Sequence, residues 1–435
     1  MRLLVPGICA VSVINGAAFS QTAHPQVFVA NDGNLEGSIS SMRVFADGSL
    51  DLVDRVITGT RTSTSLPCAG CNPFAIDLTP DGRFLATNHA SGNAGEQITL
   101  VEVIEDGRLI PRATLPLAQG GLDIAWVSDT LLAVAITDLS NGSELRLYHW
   151  SRALFELTET DVDDAGLFMT SMAVHPSGEW IYTNDSFGNV VRQFEIVGET
   201  ATLVDAVPIP VSGVSIEISP DGQNLYAAGG ISAGGNAFAG YRIDQTTGGL
   251  TEIPGSPFTS PGASPKGFAI TPDSAYLYVS HGTDATIHGF AIDAETGAPS
   301  SLGFSFDVGF QGSLQGMDTI EGRLYAADES DIFDGLEGLY AFAVDADTGA
   351  FPPVPGTPVP TEGVSPSAIV AWGGPACLPD LARDGSVNFI DINTFLVAFN
   401  SQSPIADFFP PGGGDGALNF FDVATFISAF VAGCP

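Results

Sequence analysis

Two stretches near the C-terminal end place oxygen-bearing side chains at the spacing of a hard-cation loop. In Asp380-Leu-Ala-Arg-Asp384-Gly385-Ser386-Val-Asn388-Phe-Ile-Asp391, carboxylates stand at loop positions 1, 5 and 12. Glycine at position 6 takes the sharp turn, and residue 7 offers a carbonyl, as a calcium loop requires. Position 3 is Ala382, so one usual ligand is missing. A second copy aligns Asp415, Gly416, Asn419 and Asp422, and Asp407 must reach across an expanded loop front at 408–414. The expected Ca2+ ligands are Asp380, Asp384, Ser386, Asn388 and Asp391, then Asp407, Asp415, Asn419 and Asp422. The competing reading is an N-capped helix after an acidic turn.

Elsewhere the chemistry-bearing residues are scattered. Cys68-Ala-Gly-Cys71 suits a redox pair, half a zinc site or a plain disulfide that stiffens a loop. Setting aside Cys9, the four remaining cysteines allow three pairings, and local pairing is expected: Cys68–Cys71 and Cys377–Cys434. Polar residues follow a recurring strand and should share one rim: Asn31, Asp32, His89, Asn184, Asp185, His281, Asp284 and the acidic run from Asp328 through Asp334. Of these, His89, Asn184, Asp185, His281 and Asp328 are the ligand-rim candidates, set against ordinary loop polarity. None takes a catalytic role from spacing alone. His175, inside a turn, reads as structural.

The element that must position them is a repeat. Ser215 to Gly229, SIEISPDGQNLYAAG, is a strand, a Pro-Asp-Gly turn and a second strand. Inner strands of this kind recur at 74–78, 122–127, 171–174, 214–218, 267–270, 314–318 and 367–372, about 49 residues apart. The first six are each followed by a second and a third strand, and usually by a short fourth. Four strands at this period predict an all-β fold, a seven-bladed β-propeller. One blade is split. Its outer strands lie at 28–32, 38–45 and 47–53, and its inner strand is the C-terminal 367–372, so the ring closes without a free edge.

Beyond Gly373–Ala376, a linker, Ile392, Phe395, Leu396 and Phe399 share one helix face, repeated 31 residues later by Val423, Phe426, Ile427 and Phe430. Two small amphipathic helices should pack face to face in a module over 377–435, with the propeller over 21–372. Residues 1–20 read as a secretory signal peptide: Arg2, an apolar run from Leu3, then Ala18-Phe19-Ser20. The expected location is secreted, extracellular or at a bacterial cell surface. With 14 Lys+Arg against 50 Asp+Glu and a net charge of −36, nucleic acid and anionic membranes are excluded as partners. No apolar run approaches the roughly 18 residues of a membrane span, and a monomeric propeller is expected.

The tail, through CLPDLARDGSVNFIDINTFLVAF and ALNFFDVATFISAFVAGCP, resembles GC-type dockerin modules. That resemblance implies attachment or sorting through a cell-surface partner. The propeller, through SPDG-x-x-LY, YRIDQTTGGLTEI and FAIDAETG, resembles the secreted lactonase-like propellers related to 6-phosphogluconolactonase. The resemblance implies an Arg-His pair ahead of the His175-Pro176 turn, an acid after the next strand, and an HAH-like element near 122–125. Here those positions hold Thr170-Ser171, Asp185 and Leu-Asp-Ile-Ala. Without the cation and the imidazole, the expected function is a binding scaffold rather than an enzyme. The alternatives are a lactone or sugar-acid hydrolase with a divergent site and a protein-interaction platform.

Overall fold

The computed structural model describes residues 25–33, 35–61, 68–90, 96–104, 107–138, 141–210, 213–229, 235–308, 314–329, 337–373, 389–400, 406 and 418–432. The leader expected at 1–20 lies outside them. Seven antiparallel sheets form a seven-bladed propeller. Blade 1 is the split one: inner strand Pro366–Trp372 pairs with Gln26–Asn31, which continues to Glu36–Val44 and Leu50–Thr60. Phe28 faces Val370 and Val29 faces Ile369 in that closing ladder. Blades 2 to 6 have inner strands Pro73–Leu78, Gly121–Trp126, Met169–Val174, Gly213–Ile218 and Pro265–Ile270. Blade 7 begins with Leu314–Ile320 and has three paired strands. Its fourth element survives only as isolated bridges, Leu339 to Val359 and Phe342 to Pro353. The prolines at 352, 353, 355 and 358 offer no N–H to a ladder.

The turn chemistry anticipated for SPDG is what joins the first two strands. The Ser219 hydroxyl donates to Asp221 Oδ1 at 2.6 Å and accepts the Asn224 N–H at 2.9 Å, while Gly222 takes φ +72°. Thr79 with Asp81 and Thr271 with Asp273 build the same turn at 2.7 and 2.6 Å. These turns also clasp neighbouring blades: the Asp221 N–H donates to Ser274 Oγ, and the Asp81 N–H to Asp129 Oδ1. A Cβ on Gly222 would meet His175 Nε2 of blade 4 at 2.6 Å, so that contact requires glycine.

Between blades lies the core. A sheet in the ring presents one face to each neighbour, so alternate residues on both faces are apolar, and Leu225, Tyr226, Ala227 and Ala228 are all fully buried. Each of the seven blade interfaces holds its own apolar cluster, including Ile76 and Leu85 against Phe28 and Ile39 at the 1–2 interface. Tyrosines bridge the same gaps. Tyr182, Tyr226 and Tyr278 donate to the carbonyls of Gly248, Gly297 and Gly349 in the next blade, at 2.6, 2.8 and 3.1 Å.

The tail contributes helices α1, Phe389–Asn400, and α2, Phe420–Ala432. Phe395 and Phe426 stack at 4.1 Å, and Ile392, Phe399, Val423 and Phe430 pack against them. Leu396 and Ile427, expected on the same faces, are 57% and 53% exposed. Two helices touching along one line cover a stripe narrower than four positions. No described helix is long and apolar enough to cross a membrane.

Candidate functional site: the axial channel

The rim candidates lie at or beside the ends of second strands, and each is already engaged by its own or a neighbouring blade. His89 is fully buried: Nδ1 donates to the Cys71 carbonyl at 3.1 Å, and Nε2 accepts from Thr99 Oγ1 at 2.9 Å. In His281, Nδ1 donates to the Thr286 carbonyl at 3.2 Å and Nε2 accepts from Ser260 Oγ at 2.7 Å. Burial pushes both imidazoles down to about 4, so both are neutral at physiological pH. Asn184 Oδ1 accepts the Ser171 N–H at 2.8 Å, satisfying the irregular start of the blade 4 inner strand. Asp328 is buried where Arg323–Asp328 meets Leu314 and Gly338. Asn31 is held by Ser40 and Thr361, and Asp284 accepts the Ala263 N–H at 3.0 Å.

Asp185, in the place of the expected acid, is a brace. Its carboxylate accepts the N–H groups of Leu167, Phe168 and Gly188 at 3.0, 3.1 and 2.8 Å and pairs with Arg192 at 3.3 Å. Burial pushes this carboxyl up, but the N–H groups and the guanidinium outweigh it and hold it below its ordinary value. Thr170 is likewise engaged, accepting from Asn184 Nδ2 at 2.8 Å and donating to the Val214 carbonyl at 3.1 Å. His175 sits between Ser177 Oγ and the Gly222 carbonyl with its ring edge-on to Trp180, a structural placement.

What the inner strands bring together is a set of carboxyl groups around the ring axis. Asp77, Glu217 and Asp318 pair across their blades with Ala86, Tyr226 and Tyr325, one level of the ring. Ala125, Ala173, Ala269 and Val370 fill the remaining positions of that level. Asp123 stands two residues nearer the strand starts than Ala125. These small residues leave room for a cavity of about 300 Å³, lined among others by Asp77, Glu217, Trp126, Met172, Ala125 and Ala173.

Three of the acids close a gap between blades. An inner strand has no partner on its axial edge, so its N–H groups need acceptors from elsewhere. Asp77 Oδ2 accepts the Trp126 N–H at 2.6 Å, Asp123 Oδ2 that of Met172 at 2.7 Å, and Asp318 Oδ2 that of Ala371 at 2.7 Å. Ser171 continues the pattern toward Ile216 at 3.3 Å and bonds Asp123 through its hydroxyl. Glu217 is the exception: among the described residues its carboxyl has no hydrogen-bond partner.

All four acids are half-buried, and Asp77 and Glu217 face the cavity. Burial therefore raises all four. Glu217 rises to about 8, pushed further by Asp318, Asp123 and Asp77. Asp77 reaches about 7, where N–H donors oppose burial and Asp123 and Asp318 add to it. Asp123 and Asp318 reach about 6, held lower by their backbone donors. The four titrate as a coupled set. Asp77 and Glu217, which line the cavity together, thus both change protonation near neutral pH. The available signal was a lone acid inside otherwise apolar inner strands, as in FAIDL and VSIEI.

At the opposite ends of the inner strands, the only lysine of the chain, Lys266, lies at the register irregularity that opens the blade 6 strand. Its Nζ is 3.8 Å from Glu329 Oε2. Asp32 of blade 1 is raised to about 7 by burial and then by Glu329, and its Oδ1 is buried without a hydrogen-bond partner among the described residues.

Cys68 and Cys71 form a disulfide with a Cα–Cα distance of 5.4 Å. Cys377 and Cys434 lie outside the described residues, as do the first-loop ligands Asp380, Asp384, Ser386 and Asn388, together with Asp407, Asp415 and the Asp391 side chain. Asn419 and Asp422 form a capping box on α2: Asn419 Oδ1 accepts the Phe421 N–H at 2.8 Å, and Asp422 Oδ2 accepts the Asn419 N–H at 2.7 Å. Among the described residues, no three His, Cys, Asp or Glu side chains group closely enough to hold a metal ion.

Residues 171–315 match the family model described as "Lactonase, 7-bladed beta-propeller". Solved structures of the same fold include a candidate 6-phosphogluconolactonase of Bacteroides uniformis, 17% identical, TM-score 0.63, covering 80% of this chain and 99% of that one. The periplasmic gluconolactonase PpgL of Pseudomonas aeruginosa is 18% identical, with TM-score 0.62, covering 81% and 99%. A functionally unknown protein of Desulfotomaculum acetoxidans is 14% identical, with TM-score 0.61, covering 81% and 100%. No curated protein matches the chain. The chain thus carries a lactonase-like seven-bladed propeller.

Proposed function

We propose that this lactonase-like propeller hydrolyses lactones of sugar acids in its axial channel. The observation that carries the reading is the pair of carboxyls lining one cavity with protonation in the neutral range, Asp77 and Glu217. In the reaction, Asp77 as carboxylate takes a proton from water as the water oxygen bonds to the lactone carbonyl carbon. The tetrahedral intermediate then breaks its bond to the ring oxygen, and Glu217 delivers its proton to that leaving oxygen. The product is an open-chain hydroxy acid, and the proton on Asp77 returns the pair to its starting state through Glu217. The two Trp126 and Leu78 N–H bonds fix the Asp77 carboxylate, while the unbonded Glu217 keeps its proton for transfer. The non-catalytic scaffold expected from Thr170-Ser171 has no support among the related proteins, and the hydrolase alternative fits them better.

The test is pH-stat titration of the full chain against a panel of aldono-δ- and γ-lactones, above the spontaneous rate. Turnover should fall at least a hundredfold in Glu217→Gln and in Asp77→Asn. Hydrolysis of none of the lactones, or unchanged rates in both variants, refutes the reading.

For the tail we propose a dockerin-like, calcium-binding attachment module on a secreted protein. What supports this is the oxygen-ligand spacing of the two loops in the sequence, while the capping of α2 by Asn419 and Asp422 is the arrangement the metal-free alternative also gives. Helicity followed by circular dichroism should rise on adding calcium and fall on chelation, and no change removes the metal. The mature N-terminus of protein recovered from culture medium should begin after Ser20, and an intact leader would refute secretion.

A further inference from the structure

We propose that the channel is selective for uncharged lactones and rejects their phosphorylated counterparts. The inference rests on the axial channel being the lactone site and adds the charge of its substrate.

The reason is the sign of everything the ligand meets. Acids line the cavity, and its lining includes no Lys, Arg or His. Asp123 and Asp318 add negative charge at the same axis, through the coupling that raises Glu217. A phosphorylated sugar needs a cation to offset its dianion, usually an Arg fork or a Lys point charge. The one lysine in the chain is at the far end of the inner strands and already faces Glu329, with Asp32 beside it. Thr170 and Ser171, on the blade 4 inner strand, bring hydroxyl groups committed to neighbouring backbone or carboxylate. The remaining field is that of a chain with net charge −36. An uncharged polyol lactone loses nothing to this field. Its hydroxyl groups can donate to the carboxylates, which are acceptors once ionised. A single like-charge pair about 6 Å apart at an effective dielectric of about 20 discriminates by about a hundredfold, and a phosphate meets more than one.

Selectivity of this kind also assists turnover. Hydrolysis converts a neutral lactone into a hydroxy acid whose carboxylate is repelled by the cavity that produced it, which favours product release.

The experiment compares glucono-δ-lactone with its 6-phosphate on the full chain at pH 7.5, in low salt and in 0.3 M NaCl, by kcat/KM. In parallel, each ligand is titrated against intrinsic tryptophan fluorescence, since Trp126 lines the cavity. We expect at least a hundredfold preference for the uncharged lactone at low salt, narrowing several-fold in high salt. Asp77→Asn, which removes the lining carboxylate that is ionised at this pH, should narrow the preference about tenfold, read by fluorescence because its turnover is impaired. Equal or better use of the phosphorylated lactone overturns the proposal. If neither is hydrolysed but the uncharged lactone binds with the expected preference, the selectivity stands and the hydrolase reading falls. If neither binds, both fall.

Discussion

Glu217→Gln removes a titrating group from the channel while keeping its size and polarity, and its effect on stability should depend on pH in a defined direction. The carboxyl rises from an ordinary 4.5 to about 8 on folding, chiefly through burial. Between those values the folded chain holds a proton that the unfolded chain has released. Stability is therefore full below about 4.5, declines as pH rises, and the loss is complete above about 8. One pKa unit corresponds to about 1.4 kcal/mol, so the undiscounted loss is about 5 kcal/mol. The carboxyl faces channel water and shares its titration with three aspartates, which reduces the expected figure to about 2 kcal/mol. Gln carries no such penalty. At pH 9 the variant should be about 2 kcal/mol more stable than the native chain, about 3 °C in Tm for a domain of this size. At pH 5, where native Glu217 is already neutral, the two should melt together. Scanning calorimetry on both proteins at both pH values decides it. A variant destabilised at pH 9, or shifted equally at pH 5 and 9, would show that Glu217 is not held protonated by the fold.

Activity should follow a bell in kcat/KM, rising as the Asp77 base ionises near pH 7 and falling as the Glu217 acid ionises near pH 8; a flat profile from pH 6 to 9 contradicts the assignment. Asp185→Ala strips three N–H groups and Arg192 of their acceptor and should cost about 3 kcal/mol in denaturant melts. Because the Asp185 carboxyl is held below its ordinary value, that penalty should shrink as pH falls through the folded value, and constancy to pH 2 would contradict the brace. Replacing Cys68 and Cys71 together by Ser should lower stability by about 2 kcal/mol, the chain-entropy value for so short a loop, and leave kcat/KM unchanged. Ile369→Asp places a charge in the closing strand between blades 1 and 7 and should cost at least about 3 kcal/mol, with unfolding of the whole ring rather than of one blade.

How far the residues alone could go depended on the range of the forces involved. Alternation of apolar residues, Pro-Asp-Gly turns and a recurring period are local signals. They were enough for the blade count, the split blade and the Cys68–Cys71 pairing, since each follows from neighbours in the chain. The rim was harder. His89, His281 and Asp185 stand where loops should carry ligands, yet Thr99 and Arg192 of their own blades, and Ser260 from the end of blade 5, already engage them, and nothing in local spacing says that a side chain is already spoken for.

The channel is the clearest case of what tertiary structure alone decides. Asp77, Asp123, Glu217 and Asp318 are at least 46 residues apart in sequence, and none belongs to a compact motif. Ring closure brings four blades' inner strands to one axis, where unpaired strand edges demand acceptors and burial raises every carboxyl. Sequence determined that there would be seven inner strands, because periodicity is written residue by residue. Only the closed ring decided that Asp77 and Glu217 would share one cavity and that Asp123 and Asp318 would couple to them, because desolvation and charge coupling act through space and do not exist until the blades meet.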